Sequence, residues 1–231
     1  MKRILRSCLF ATGLVAVVAL AQNAGPEATA PAAPPDNVKV ERLPNGDIVL
    51  GGITVHRATG ELSFPATFVL QSGVLEVLIA TPEGRLHESL LKTTVKPLHL
   101  QTALYLVNQK NGPRFPDAKG NQGDILDIDL EWKDKDGKLV REPVETWIHN
   151  EKSKKQMKRF GWVFVGSTIV DGAFQAEIGG NLVIVYSPAD TILELPDKSG
   201  DDDLVYVANE NKTSPGKEGA VRVILTPRKK T

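Results

Sequence analysis

Cysteine is nearly missing from this chain. The 231 residues hold one, Cys8, inside an N-terminal segment that reads as removable. A chain cleaved after Ala21 has none. That excludes disulfides, cysteine nucleophiles, cysteine-ligated zinc and cysteine-ligated iron–sulfur clusters. Histidine is scarce too, at four residues, and no His-Glu-x-x-His occurs. Neither charge dominates, with 28 basic against 28 acidic residues. Without Lys2, Arg3 and Arg6 the balance is 25 − 28 = −3, which offers no footprint for nucleic acid or anionic membrane. No apolar run after residue 20 is long enough to span a bilayer. There is no Walker A loop and no Gly-x-Gly-x-x-Gly after a strand. No cofactor is expected.

What is present begins with Lys2, Arg3 and Arg6, an apolar stretch from Leu9 to Leu20, and Ala19-Leu20-Ala21 before Gln22. These are the parts of a secretory signal peptide over residues 1–21, and Cys8 sits too early for a lipobox. Pro26, Pro31, Pro34 and Pro35 among alanines give residues 22–46 the composition of a linker. Residues 47–231 are enough for one domain with a sizeable core. Export to a bacterial periplasm or the extracellular space follows as the expectation.

From Asp47 the pattern is strand-like. "DIVLGGITVHR" carries β-branched residues around a Gly-Gly break. Val74 to Ala80 is almost continuously apolar and reads as a strand buried on both faces. "RLHESLLKT" reads as a short returning strand. Pro97 then opens a helix over 97–108, with Leu100, Ala103, Leu104 and Val107 at helical spacing. Leu126, Ile128, Leu130 and Trp132 alternate with acidic residues. Asp136-Gly137 turns that strand into a return over Val144 to Ile148. Further strands are expected at Trp162 to Gly166, Phe174 to Ile178, Leu182 to Tyr186 and "AVRVILTP". A short helix is expected from Ser187 to Leu195, and an acidic loop from Asp197 to Asp203. The sum is nine to eleven strands and two or three helices. Strands and helices do not alternate regularly, so the expected class is α+β with a mainly antiparallel sheet.

Candidate chemistry centres on His87-Glu88-Ser89 and His99. Imidazole and carboxylate ligate divalent ions or act as acid and base. In a strand His87 and Ser89 share one face and Glu88 takes the other. His87 can meet His99 if the helix packs back on the strand. The alternative is a polar strand-to-helix corner that satisfies backbone groups. Ser89-x-x-Lys92 matches a hydrolase nucleophile motif, but its partner motifs are absent and Ser214-x-x-Lys217 matches equally. Asp134 to Gly137 and Asp201 to Asp203 read as turn and solvated loop rather than calcium sites. Lys152 to Arg159 is a basic, exposed stretch too poor in aromatics for nucleic acid.

Several groups of residues together resemble the YdjY-domain family of bacterial exported proteins. They are Leu75-Glu76-Val77, "GRLHESLL", Lys96-Pro97, "LQTALYLV", Gly123-Asp124, Glu131-Trp132, Glu145-Thr146-Trp147, "WVFVGS" and "NKTSPGKEGAVRVILTP". The resemblance runs from Ile48 to Pro227. It implies an exported single domain and brings no established reaction. It also implies that Trp162 and Ser167 lie beside His87. The leading expectation is a non-catalytic module that binds an envelope protein or a small ligand through His87, Glu88, Ser89, His99, Trp162 and Ser167. A metal-dependent hydrolase using His87, Glu88 and His99, and a purely structural envelope protein, are the alternatives.

Overall fold

The computed structural model describes residues 38–186, 190–215 and 217–229. The expected signal peptide, Cys8 and most of the expected linker lie outside them. The described chain opens with four antiparallel strands, β1 (Val40–Arg42), β2 (Ile48–Leu50), β3 (Ile53–His56) and β4 (Glu61–Phe68). The β2–β3 loop is the two residues Gly51 and Gly52, at φ +53° and +87°. A two-residue hairpin needs positive φ at both positions, and glycine supplies it without strain.

Next come β5 (Val77–Ala80), β6 (Ser89–Lys92) and helix α1 (Pro97–Leu106). A hairpin of β7 (Ile125–Lys133) and β8 (Leu139–Pro143) follows. β9 (Ile148–Asn150), β10 (Lys155–Gln156), β11 (Trp162–Phe164), β12 (Ile169–Val170) and β13 (Ala173–Phe174) lead into helix α2 (Gln175–Gly179). The chain ends through β14 (Asn181–Ile184), β15 (Leu193–Glu194), β16 (Tyr206–Ala208) and β17 (Ala220–Pro227).

Hydrogen bonding links β4, β17, β7, β11, β15, β14, β5 and β6 in that order, and β6 pairs back onto β4. The sheet thus closes into a barrel. Most pairs are antiparallel, but β5–β6 and β14–β15 are parallel, so the sheet is mixed. The two parallel pairs meet at the antiparallel contact of β5 with β14. Only residues 81–88 connect β5 to β6, short for a parallel crossover. That connection crosses the start of β14 at two glycines: a Cβ on Gly84 would lie 2.8 Å from the Gly180 carbonyl oxygen.

The barrel interior is one continuous apolar cluster. Leu62, Phe64, Leu126, Ile128, Leu130 and Val223 fill it from the strands, and Leu100, Ala103 and Leu104 join it from α1. Each fully buried aliphatic or aromatic side chain there contributes about 1.5–3 kcal/mol. Among the described residues no helix is long and apolar enough to cross a membrane.

The β-rich class, the two helices, the helix start at Pro97 and the last strand agree with the sequence reading. Closure into a barrel was not anticipated. Five local expectations change. Val40–Arg42 is a strand of the sheet although it falls in the expected linker. Leu86–Glu88 is a 3-10 turn, so β6 starts only at Ser89. The return strand of the β7 hairpin is Leu139–Pro143, and Val144–Trp147 is a 3-10 turn. Phe174 to Ile178 was expected as a strand, but Gln175–Gly179 is helical and is stopped by Gly180 at φ +64°. The expected helix from Ser187 to Leu195 is replaced at its end by β15; residues 187–189 lie outside the described set. Among the described residues seventeen strands replace the expected nine to eleven, because turns cut many of the apolar runs into pieces, thirteen of the strands being two to four residues long.

Candidate functional site

The six residues singled out from sequence do not converge on one cavity. His87 sits in the 3-10 turn before β6 with its side chain 75% exposed, 3.5 Å from a Glu88 oxygen. Glu88 also faces Arg85 at 3.4 Å, and Arg85 bonds Glu76 closely. Ser89 is fully buried and donates to the Arg85 carbonyl at 2.6 Å. His87-Glu88-Ser89 is therefore an ion-paired corner with a buried hydroxyl that ties the turn. His99 lies beyond the other end of β6, separated from His87 by a strand of roughly 13 Å. Its ring rests on Gly51, where a Cβ would fall 2.0 Å from Nδ1. That nitrogen is buried without a hydrogen bond. Trp162 is wholly inside the core. Ser167 fastens both helices: its N–H donates to Gln101 Oε1 at 2.8 Å, and its hydroxyl accepts from the Ala176 N–H at 3.0 Å. Among the described residues no group of three or more His, Cys, Asp or Glu side chains is placed to hold a metal ion.

A different constellation emerges on the outer face of the β3–β4 hairpin. His56 closes β3 and pairs with Glu61, so Ser63 lies two residues further along β4 on the same face. His56 Nε2 is 2.8 Å from Ser63 Oγ, and His56 Nδ1 is 3.0 Å from Asp47 Oδ2. Ionised carboxylate only accepts, so Asp47 takes the Nδ1–H; in the neutral imidazole the Nε2 lone pair then accepts from Ser63.

Asp47 is itself fixed from several sides. Its oxygens accept from the Arg57 N–H at 3.1 Å and from Asn45 Nδ2 at 3.0 Å. Its own N–H donates to Asn45 Oδ1 at 3.1 Å. Desolvation pushes the Asp47 carboxyl upward, but hydrogen bonds from His56, Arg57 and Asn45 outweigh it and hold the group below its ordinary range.

Ser63 is 2% exposed and lines a groove of about 410 Å³ over β3, β4, β17 and β7. Thr54, Gly52, Glu131, Trp132, Arg222 and Lys133 also line it, and Glu131 stands directly opposite Arg222 in the β17–β7 ladder. In the ladder Ser63 stands opposite Ile224 and Pro65 opposite Arg222. Arg222 is thus a diagonal neighbour of Ser63, about 7–8 Å away between backbones and within reach of a long side chain. Arg85, Arg114, Arg141, Arg159 and Arg228 each meet a carboxylate. Arg222 and Lys133 do not: neither has a hydrogen bond or ion pair among the described residues. On the far side of Ser63 the Arg141 guanidinium spans Asp129, Glu61 and Thr226 at 2.9 Å each.

A second basic cleft, of about 520 Å³, has Lys152, Lys155 and Lys158 on its wall. There Lys152 is neutralised by Asp202 at 2.7 Å, and the Asp197 carboxylate bonded to Tyr206 adds opposing charge.

The sequence reading passed over Asp47, His56 and Ser63 because it treated "DIVLGGITVHR" only as strand. The available signal was parity: a hairpin closing between His56 and Glu61 puts His56 and Ser63 on one face. Asp47 carried no such signal, since its approach depends on how the Leu43–Asp47 turn folds back. No family model matches the chain, and neither a curated protein nor a solved structure matches it.

Proposed function

We propose that this is an exported domain of the bacterial envelope that binds a small carboxylate-bearing ligand in the Ser63–Arg222 groove. The observation that carries the reading is two cations, Arg222 and Lys133, that make no ion pair among the described residues and outnumber the one lining carboxylate, Glu131, over a hydroxyl-bearing floor of Thr54 and Ser63. A guanidinium recognises carboxylate through paired N–H donors, and about 410 Å³ falls in the range of small-ligand pockets. Export is supported by the charged start, apolar stretch and small-x-small pattern before Gln22. The resemblance to the YdjY-domain family agrees with export and brings no ligand of its own.

The test is a titration of the purified protein with succinate, followed by thermal stability at constant ionic strength. A saturable rise in Tm, lost in Arg222→Ala and weakened in Lys133→Ala, is the expected result. A response that chloride reproduces, or that Arg222→Ala retains, overturns the reading.

A further inference from the structure

We infer that Ser63 is a nucleophile activated by the His56–Asp47 pair, and that the groove is a site of acyl transfer from esters that carry a carboxylate. The carboxylate preference rests on the binding reading above; the nucleophile rests on separate geometry.

Three hydrogen-bonded groups in the order carboxylate, imidazole, hydroxyl form a proton path with one direction. Asp47 fixes the His56 tautomer, and His56 Nε2 accepts the Ser63 proton. A serine tying down a sheet surface needs only one partner. Here the partner is oriented by a third group, and that group is held by Asn45 and Arg57 in turn. The same serine lines an open groove, so the relay ends where a substrate can lie.

The step balances within these residues. Ser63 Oγ bonds the ester carbonyl carbon, its proton passes to His56 Nε2, and the C–O bond to the alcohol breaks with that proton going to the leaving oxygen. Water then repeats the sequence on the acyl-serine, releasing the acid and returning the proton to Ser63. The Ser63 residue sits in the ladder between Thr54 and Ile224, so its amide is not the obvious oxyanion donor. Arg222, one diagonal step away and without an ion pair among the described residues, supplies positive charge at the developing oxyanion instead. Lys133 lies one step further along the same face, about 7 Å beyond. It meets the distal carboxylate of a short acyl chain.

The experiment is labelling of the full protein with a neutral alkyl fluorophosphonate, with the modified peptide identified by mass spectrometry. Attack by Ser63 on phosphorus expels fluoride, and His56 takes the proton. The expected result is a single adduct on Ser63, absent in Ser63→Ala and formed at least ~100-fold more slowly in His56→Ala. No adduct on Ser63 in the folded wild-type protein under excess reagent overturns the inference. The reagent carries no carboxylate, so the two readings separate. Labelling without succinate binding upholds the nucleophile and removes the carboxylate preference. Succinate binding without labelling leaves a binding groove and no nucleophile. With both established, the succinate monoester of p-nitrophenol should be cleaved faster than p-nitrophenyl butyrate, and Lys133→Ala should abolish the difference.

Discussion

The Arg159 guanidinium lies 3.5 Å from a Glu145 carboxylate oxygen, yet neither oxygen of Glu145 makes a hydrogen bond. Arg159 is committed elsewhere, to Asp129 at 2.7 Å and Asp127 at 3.3 Å. Glu145 is 1% exposed. Desolvation raises its carboxyl to about 7; the nearby backbone N–H of Glu145 itself and then Arg159 oppose the rise, and Asp127 and Asp129 add to it. Between 4.5, the ordinary value, and about 7 the folded chain keeps a proton that the unfolded chain has lost. Stability therefore falls as pH rises through that window and levels off above it. The whole effect is about 2–4 kcal/mol. Glu145→Gln cannot titrate, so its Tm should lack this decline. The check is Tm against pH from 4.5 to 8 for both proteins, and parallel curves would rule the account out.

Gly123 is expected to tolerate no side chain. A Cβ there would sit 2.1 Å from the Phe164 carbonyl oxygen, which is backbone and cannot swing away. The same oxygen accepts from the Gly112 N–H at 3.0 Å, so moving it breaks a second bond. Gly123→Ala should cost about 2–4 kcal/mol, or roughly 5–15 °C in Tm for a domain of this size. A loss under 2 °C would show that the loop adjusts freely.

Much of the fold was legible because its signals are local. Pro97 announces α1, and Leu126, Ile128, Leu130 and Trp132 alternate as a half-buried strand should. Closure of the barrel was not legible. It rests on β6 pairing with the far half of β4, at Thr67 with Lys92 and Phe68 with Leu91, and no local pattern encodes which strand meets which. Gln175–Gly179 misled for the opposite reason: its apolar residues suit a strand, but the Ser167 hydroxyl holds the Ala176 N–H at the first turn. The site was hidden in the same way. His87 and His99 are near in sequence and lie beyond opposite ends of one strand, whereas Asp47, His56 and Ser63 are brought together by two turns.

Arg114 should prove a strut rather than a surface charge. It is largely buried and donates to the Leu195 carbonyl at 2.7 Å and the Asp197 carbonyl at 2.6 Å. It also meets Asp201 at 2.6 Å and Glu194 at 3.2 Å. Arg114→Ala leaves those carbonyls and the buried Glu194 carboxylate without it, a loss of about 3–5 kcal/mol. Arg114→Lys keeps the charge but not the fork, and should recover less than half. Equal stability of the Lys variant and the parent would show that charge alone suffices.

The corner at His87-Glu88-Ser89 gives the clearest contrast between two adjacent sites. His87 stands out in solvent with one carboxylate at 3.5 Å, and exposed pairs of this kind contribute little. His87→Ala should shift Tm by less than about 2 °C. Ser89 is fully buried, and its hydroxyl satisfies the Arg85 carbonyl. That same Arg85 carries the ion pairs to Glu76 and Glu88. The Arg85 carbonyl also accepts from the Glu88 N–H at 3.2 Å, so Ser89→Ala removes the shorter of its two bonds and should cost about 0.5–1.5 kcal/mol, roughly 2–5 °C in Tm. Thermal melts of the two variants side by side decide it. If His87→Ala proved the more damaging, the exposed imidazole would have a partner in the folded protein, and this corner would return as a binding site.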